Sequence, residues 1–201
     1  MAVTLTTIAN EALMLIGEAS VTAITSTTEI NATRCSSLME GCVKEVASEA
    51  AWRCLTKRDE LTASKTGPEF DWDYSYPFPS DLIRLTKYNE SDDVLYSPNF
   101  EVEGKNILTD DDEVRISYVA YTSDPTAYDP LFVQCLTIYL AMKLATVCRQ
   151  DDTMANNLLM KYREKLSRAR QINGWIGKRI KRSPIESSYL RRARYNPTPQ
   201  S

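Results

Sequence analysis

Four consecutive acids, Asp110, Asp111, Asp112 and Glu113, with Asp71 and Asp73 upstream, are the residues of this 201-residue chain best suited to hold a hard cation or to do acid–base work. Both tasks need several carboxylates converging on one point. Consecutive residues in a turn point in different directions, however, and neither EF-hand spacing nor its glycine is present, so the run is expected to be a solvated loop. The chain contains no histidine. That removes Ser-His-Asp and Cys-His nucleophilic systems and every histidine-containing metal site. Its six glycines form neither a dinucleotide-binding nor a P-loop pattern. The five cysteines, Cys35, Cys42, Cys54, Cys135 and Cys148, are odd in number, lack CxxC spacing and fall at apolar positions of helical patterns. They are expected to be free buried thiols in a reducing compartment. Neither an enzyme nor a bound metal or organic cofactor is expected.

Charge is distributed unevenly. Residues 174–201 carry seven cations, Lys178, Arg179, Lys181, Arg182, Arg191, Arg192 and Arg194, against one acid, Glu186. The tail is therefore +6, and on a chain of net charge −3 the preceding 173 residues carry −9. A basic, proline-containing tail can be a solvated segment, a DNA-binding arm or a docking arm. Trp175, Ile176, Ile180, Ile185, Tyr189, Leu190 and Tyr195 favour docking, since apolar and aromatic anchors fill partner pockets while arginines pair with carboxylates. An acidic body repels phosphate, which suits a surface past which DNA slides better than one that grips it.

The elements that must carry these residues follow from periodicity. Leu5, Ile8, Ala12, Leu13 and Ile16 recur at helical spacing and Gly17 follows as a C′ residue, giving a first helix over 4–16. After a Ser/Thr-rich connector, a long amphipathic helix is expected from Cys35 through Cys54, so that Arg53, Lys57 and Arg58 form a cationic C-terminal turn. From Ala63, prolines and aromatics replace this periodicity. Within that stretch Trp72, Tyr74, Tyr76 and Phe78 are expected either to pack where an insertion joins the helices or to make inter-subunit contacts. Strands are expected over 82–88, 100–103, 106–109 and 113–121, the middle two joined through Gly104, as one antiparallel sheet of three or four strands. Helical spacing returns from Leu131 to near Arg149, and again, capped by Asp151 or Asp152, to about Ile172. The expected fold is mainly α with a β insertion: an antiparallel bundle of about four helices, an inserted small antiparallel sheet and an extended C-terminal arm. Its parts are 1–62 and 125–173 for the bundle, 63–124 for the β domain and 174–201 for the arm. The first residues make a poor signal peptide, and no apolar run approaches the roughly 20 residues that span a bilayer. A soluble protein without a membrane anchor is expected.

Three stretches taken in order, AWRCLTKRDEL, YPFPSDLIRL and YVAYTSDPTAYDPLFVQCLTIYLAMKLA, with FEVEGKNILTD between the last two, carry a resemblance. Over roughly residues 1–173 the chain resembles the head-to-tail adaptor, or tail tubular protein A, family of short-tailed phages and related prophages. The resemblance implies a structural virion protein, made in the host cytoplasm and assembled as a ring, usually twelvefold, beneath the portal. DNA passes through the lumen during ejection without sequence-specific binding, and a tail nozzle protein joins the other side. It also implies that the C-terminal arm docks on the portal protein, a role carried over by position and not by matched residues. The alternative is a regulatory module that binds DNA or protein through the basic arm.

Overall fold

The computed structural model describes residues 3–89 and 99–176. It begins with α1, Leu5–Ile16, whose start is fixed by a reciprocal cap between Thr4 and Thr7 and whose end is fixed by Gly17 at φ 72°. The left-handed φ is one glycine adopts without Cβ strain. The polar connector is tied down at both ends. Asn10 clamps Val21 through both amide atoms, at 2.9 and 2.8 Å, and the Glu29 carboxylate accepts from the Thr22 backbone and hydroxyl.

Helix α2, Ile30–Glu49, stops short of the expected end at Cys54. Ala50 is extended, and Trp52 folds back into the interior, fully buried, its indole N–H donating to the Val46 carbonyl at 2.8 Å and its ring meeting Phe132 edge-on at 5.0 Å. Burying a large amphipathic ring with its donor satisfied outweighs one more helical turn. The expected cationic helix turn is therefore absent. Arg53 sits in a 3-10 turn, Arg53–Leu55, while Lys57 and Arg58 belong to a strand.

The β insertion starts at that strand, ahead of residue 63, and contains two sheets where one was expected. Strands β1 (Thr56–Leu61), β6 (Val114–Ala120) and β3 (Leu82–Tyr88) form one, in the order β1-β6-β3. Strands β2 (Tyr74–Pro77), β5 (Asn106–Thr109) and β4 (Glu101–Glu103) form the other, in the order β2-β5-β4, and all neighbours are antiparallel. Gly104, at φ 59°, makes the β4–β5 hairpin as expected. Central strand β6 faces two cores. Val114, Ile116, Tyr118 and Ala120 pack with Tyr76, Tyr88 and Ile107 between the sheets, and Val119 points into the helical core. Period-2 alternation thus joins the insertion to the helices.

Helix α3, Pro130–Leu144, is capped by Asp129, whose carboxylate accepts from Phe132 N at 2.6 Å, and runs into a π turn, Ala145–Arg149. Gln150 then adopts a left-handed φ of 51°, and Asp151 caps α4, Asp152–Ile176, accepting from Met154 N at 2.8 Å. The stretch Pro130–Arg149 is long and apolar enough to cross a bilayer by composition, against the expectation that no run is. It is apolar because α1, α2 and α4 all pack on α3. Phe132, Leu136, Leu140 and Leu144 are fully buried there.

Candidate functional site

The chain's C-terminal segment departs from a surface that the structure describes up to its root. Helix α4 does not end near Ile172 but continues through Gly174 to Ile176, so Trp175 and Ile176 lie in its last turn. The remaining expected arm residues, Lys178, Arg179, Ile180, Lys181, Arg182, Ile185, Tyr189, Leu190, Arg191, Arg192, Arg194 and Tyr195, lie outside the described residues. The helix persists because Asn173 occupies the buried stripe begun by Leu158, Tyr162, Leu166 and Ala169. Its amide donates to the Ala169 carbonyl at 3.1 Å and its oxygen accepts from the Arg53 backbone N–H at 3.4 Å. A residue that usually favours helix ends is here satisfied in the interior.

Around that root, arginines meet the open end of α2. The last turn of α2 contains no basic residue. Arg84 from β3 donates to the Ser48 carbonyl at 3.2 Å, and Arg170 from α4 donates to the carbonyl of Glu49 at 2.7 Å and to its carboxylate at 2.8 Å. Cations from two other elements thus take up the unpaired carbonyls and the negative end of the helix dipole. With Arg53, Asn173 and Gly174 they line an open cleft of about 470 Å³.

This cleft is the end of a longer groove. Helices α2 and α4 both pack on α3, and the space between them is lined by Leu38 and Glu49 from α2, Met142 and Lys143 from α3, and Leu159 and Arg163 from α4. Its two segments, of about 520 and 470 Å³, share Met142 and Leu159. The second reaches the root cleft through Glu49 and Arg170. Halfway along, Tyr139 donates to the Glu45 carboxylate and Lys143 approaches it at 3.2 Å. The Tyr139 hydrogen bond, followed by Lys143, holds Glu45 below the ordinary carboxylate range, while burial and then Glu45 push Tyr139 up to about 12. Tyr162 lines the same groove, and its buried hydroxyl has no hydrogen-bond partner among the described residues.

The acidic run is held apart by its own bonds. Asp110 accepts from Asp73 N, Asp111 from the Tyr88 hydroxyl at 2.7 Å and the Asn89 amide at 3.1 Å, and Glu113 from Arg115 at 3.0 Å. Asp111 and Asp112 each accept the Tyr76 hydroxyl through a backbone carbonyl. The cluster is thus a turn that seats two tyrosines, and Asp71 contributes only a left-handed φ of 69°. Among the described residues no three metal-ligating side chains are grouped.

Of the four aromatics expected either to pack at the insertion or to make inter-subunit contacts, Tyr76 is buried between the sheets, Trp72 and Phe78 are half-buried, and Tyr74 is exposed. Tyr76 is therefore a core residue, because only inward does its hydroxyl meet two carbonyls. Phe70, outside that expected set, is 74% exposed. The cysteines are free, with Cys35, Cys42 and Cys135 buried and Cys54 and Cys148 half-buried. Sequence reasoning missed Asn173, Arg84, Glu49 and Arg170. The signal for Asn173 was its place four residues after Ala169 on the apolar stripe.

Compared with known proteins, the chain matches no family model and no curated relative.

Proposed function

We propose that the chain is a structural subunit of the head-to-tail adaptor type, acting without catalysis or a cofactor. Its four helices form an antiparallel bundle and pack side by side with those of other copies into a ring, usually twelvefold in this class. The basic C-terminal arm docks on the portal protein of a phage particle, the β insertion projects toward neighbours or the tail nozzle protein, and DNA passes through an acidic lumen.

The observation that carries this reading is the plan of the chain. Helices before and after the β insertion share one core, the insertion is spliced between α2 and α3, and the last helix is tied by Arg170 to the end of α2 and by Asn173 to the 3-10 turn that follows it, before it leads into the basic, aromatic segment. A solvated tail needs no anchored root. A docking arm does, because a rigid departure point lowers the entropy lost when the arm orders on a partner.

The test is electron microscopy of the full chain mixed with a cognate portal, beside a variant ending at Ile176, which leaves α4 whole. A ring on the portal with the full chain and none with the truncated one is expected. Equal attachment by both rules out the arm as the latch, and a stable monomer that shifts duplex DNA at physiological salt replaces this reading with the regulatory one.

A further inference from the structure

The first 33 residues contain Glu11, Glu18 and Glu29 and no lysine or arginine. Helix α1 buries Ile8, Ala9, Ala12, Leu13 and Ile16. Its opposite side therefore presents Glu11 and Met14, one turn apart, while Glu18 lies beyond the Gly17 cap and pairs with Arg149 at 3.4 Å. On that outer ridge Met14 is 76% exposed and Leu15, beside it, 45%. These are large apolar side chains beside the exposed Glu11, with no basic residue on the helix.

The groove between α2 and α4 has the reverse character. Arg53, Arg84, Lys143, Arg163 and Arg170 line the groove and its root cleft against Glu49 and Asp152, with Glu45 beside Lys143. Lys143 and Arg170 have acidic partners in the chain, whereas Arg163 is exposed and has no ion-pair partner among the described residues. The groove floor is apolar at Met142 and Leu159, and Met160, the next residue of α4, is 66% exposed. Helices α1 and α4 both pack on α3 and make no extensive contact with each other, so both surfaces are open on one molecule.

We infer that the groove is occupied by a second copy of this chain: the outer ridge of α1, with Met14 and Leu15 inserted over Met142 and Leu159 and Glu11 paired with Arg163. Two different surfaces of the same chain then meet, which makes a heterologous, head-to-tail interface that propagates and closes only if its rotation closes. The fit is of ridge into groove, and charge sets partner and register more than it adds affinity. The inference rests on the adaptor reading only in that a ring requires such an interface.

The experiment uses the full chain by sedimentation velocity from micromolar to millimolar concentration. Concentration-dependent association is expected, weakened about tenfold or more by Met14→Asp or by Arg163→Glu and recovered in the double variant Glu11→Arg, Arg163→Glu. All these positions are exposed, and circular dichroism checks that each variant is folded. In a second arm, Met14→Cys protein mixed with Ser167→Cys protein under oxidation gives a disulfide-linked dimer that neither gives alone, with the unsubstituted chain as control for Cys54 and Cys148. Absence of association and of cross-linking at the highest concentration overturns the interface. So does association indifferent to Met14 and Arg163, which would leave the adaptor reading in place. Association that depends on these residues in a protein that ignores the portal keeps the interface and removes the adaptor reading.

Discussion

Arg170 on α4 grips Glu49 twice, through its carbonyl oxygen at 2.7 Å and its carboxylate at 2.8 Å, and so closes the end of a helix on another element. Arg84 does the same for Ser48 at 3.2 Å from the β insertion. The end of α2 is thus the point where the N-terminal helices, the insertion and the last helix are fastened together. It sits beside the root from which the C-terminal segment leaves.

Arg170→Ala is expected to lower stability by about 1–2 kcal/mol, since it frees a helix-end carbonyl and removes a charge-assisted bond, whereas the exposed ion pair adds little. Arg170→Lys recovers only part, because one ammonium does not span carbonyl and carboxylate as a guanidinium does. Urea denaturation of the three proteins measures this. A lysine variant as stable as the parent argues that the pairing is only electrostatic.

Trp52→Ala is expected to cost about 3–5 kcal/mol, the range for emptying a large aromatic site. Trp52→Phe is expected to cost less but more than zero, since it keeps the packing on Phe132 and leaves the Val46 carbonyl without the indole donor. Equilibrium unfolding followed by far-ultraviolet circular dichroism reads both. If the phenylalanine variant matches the parent, the indole bond contributes nothing to ending α2.

Helices α1, α3 and α4 and the alternation along β6 were legible because each buries one stripe or one face, and period follows burial. The end of α2 was not. Ala50, Ala51 and Cys54 continue a helical spacing, and only the interior site waiting for Trp52 breaks it. Strand β1 was hidden for another reason. As an edge strand of sequence Thr-Lys-Arg-Asp-Glu-Leu it exposes both faces over its centre and shows no alternation, although its charges are what protect such an edge. The groove was invisible because it depends on how far apart α3 holds α2 and α4. Nothing in a linear pattern reports that separation.

The thiols of Cys35, Cys54 and Cys135 are pushed up to about 11 and that of Cys42 to about 12, in each case chiefly by burial. At neutral pH these four are therefore almost wholly protonated and poorly nucleophilic. Native protein treated with iodoacetamide should leave them unmodified over a period in which denatured protein is alkylated at all five cysteines. Mass spectrometry of intact protein and of its peptides counts the additions. Fast labelling of Cys35 or Cys42 in folded protein would mean that the helical core opens often.

Asp81, at the entrance to β3, accepts from Lys57 of β1 at 2.6 Å and from the Tyr118 hydroxyl of β6 at 3.1 Å, so one carboxylate joins all three strands of its sheet. The Lys57 bond above all, with Tyr118 after it, holds its carboxyl below the ordinary range against the opposing effect of burial. An aspartate so depressed stabilises the fold fully above its unfolded value of about 3.9, and that contribution fades as pH falls through the lower folded value. Asp81→Asn should therefore be less stable than the parent near neutral pH, with the difference shrinking as pH falls below about 4. Unfolding free energies of both proteins measured across that range decide the matter, and a difference that stays constant into acid would assign the loss to altered packing around Tyr118 instead of to the carboxylate's charge.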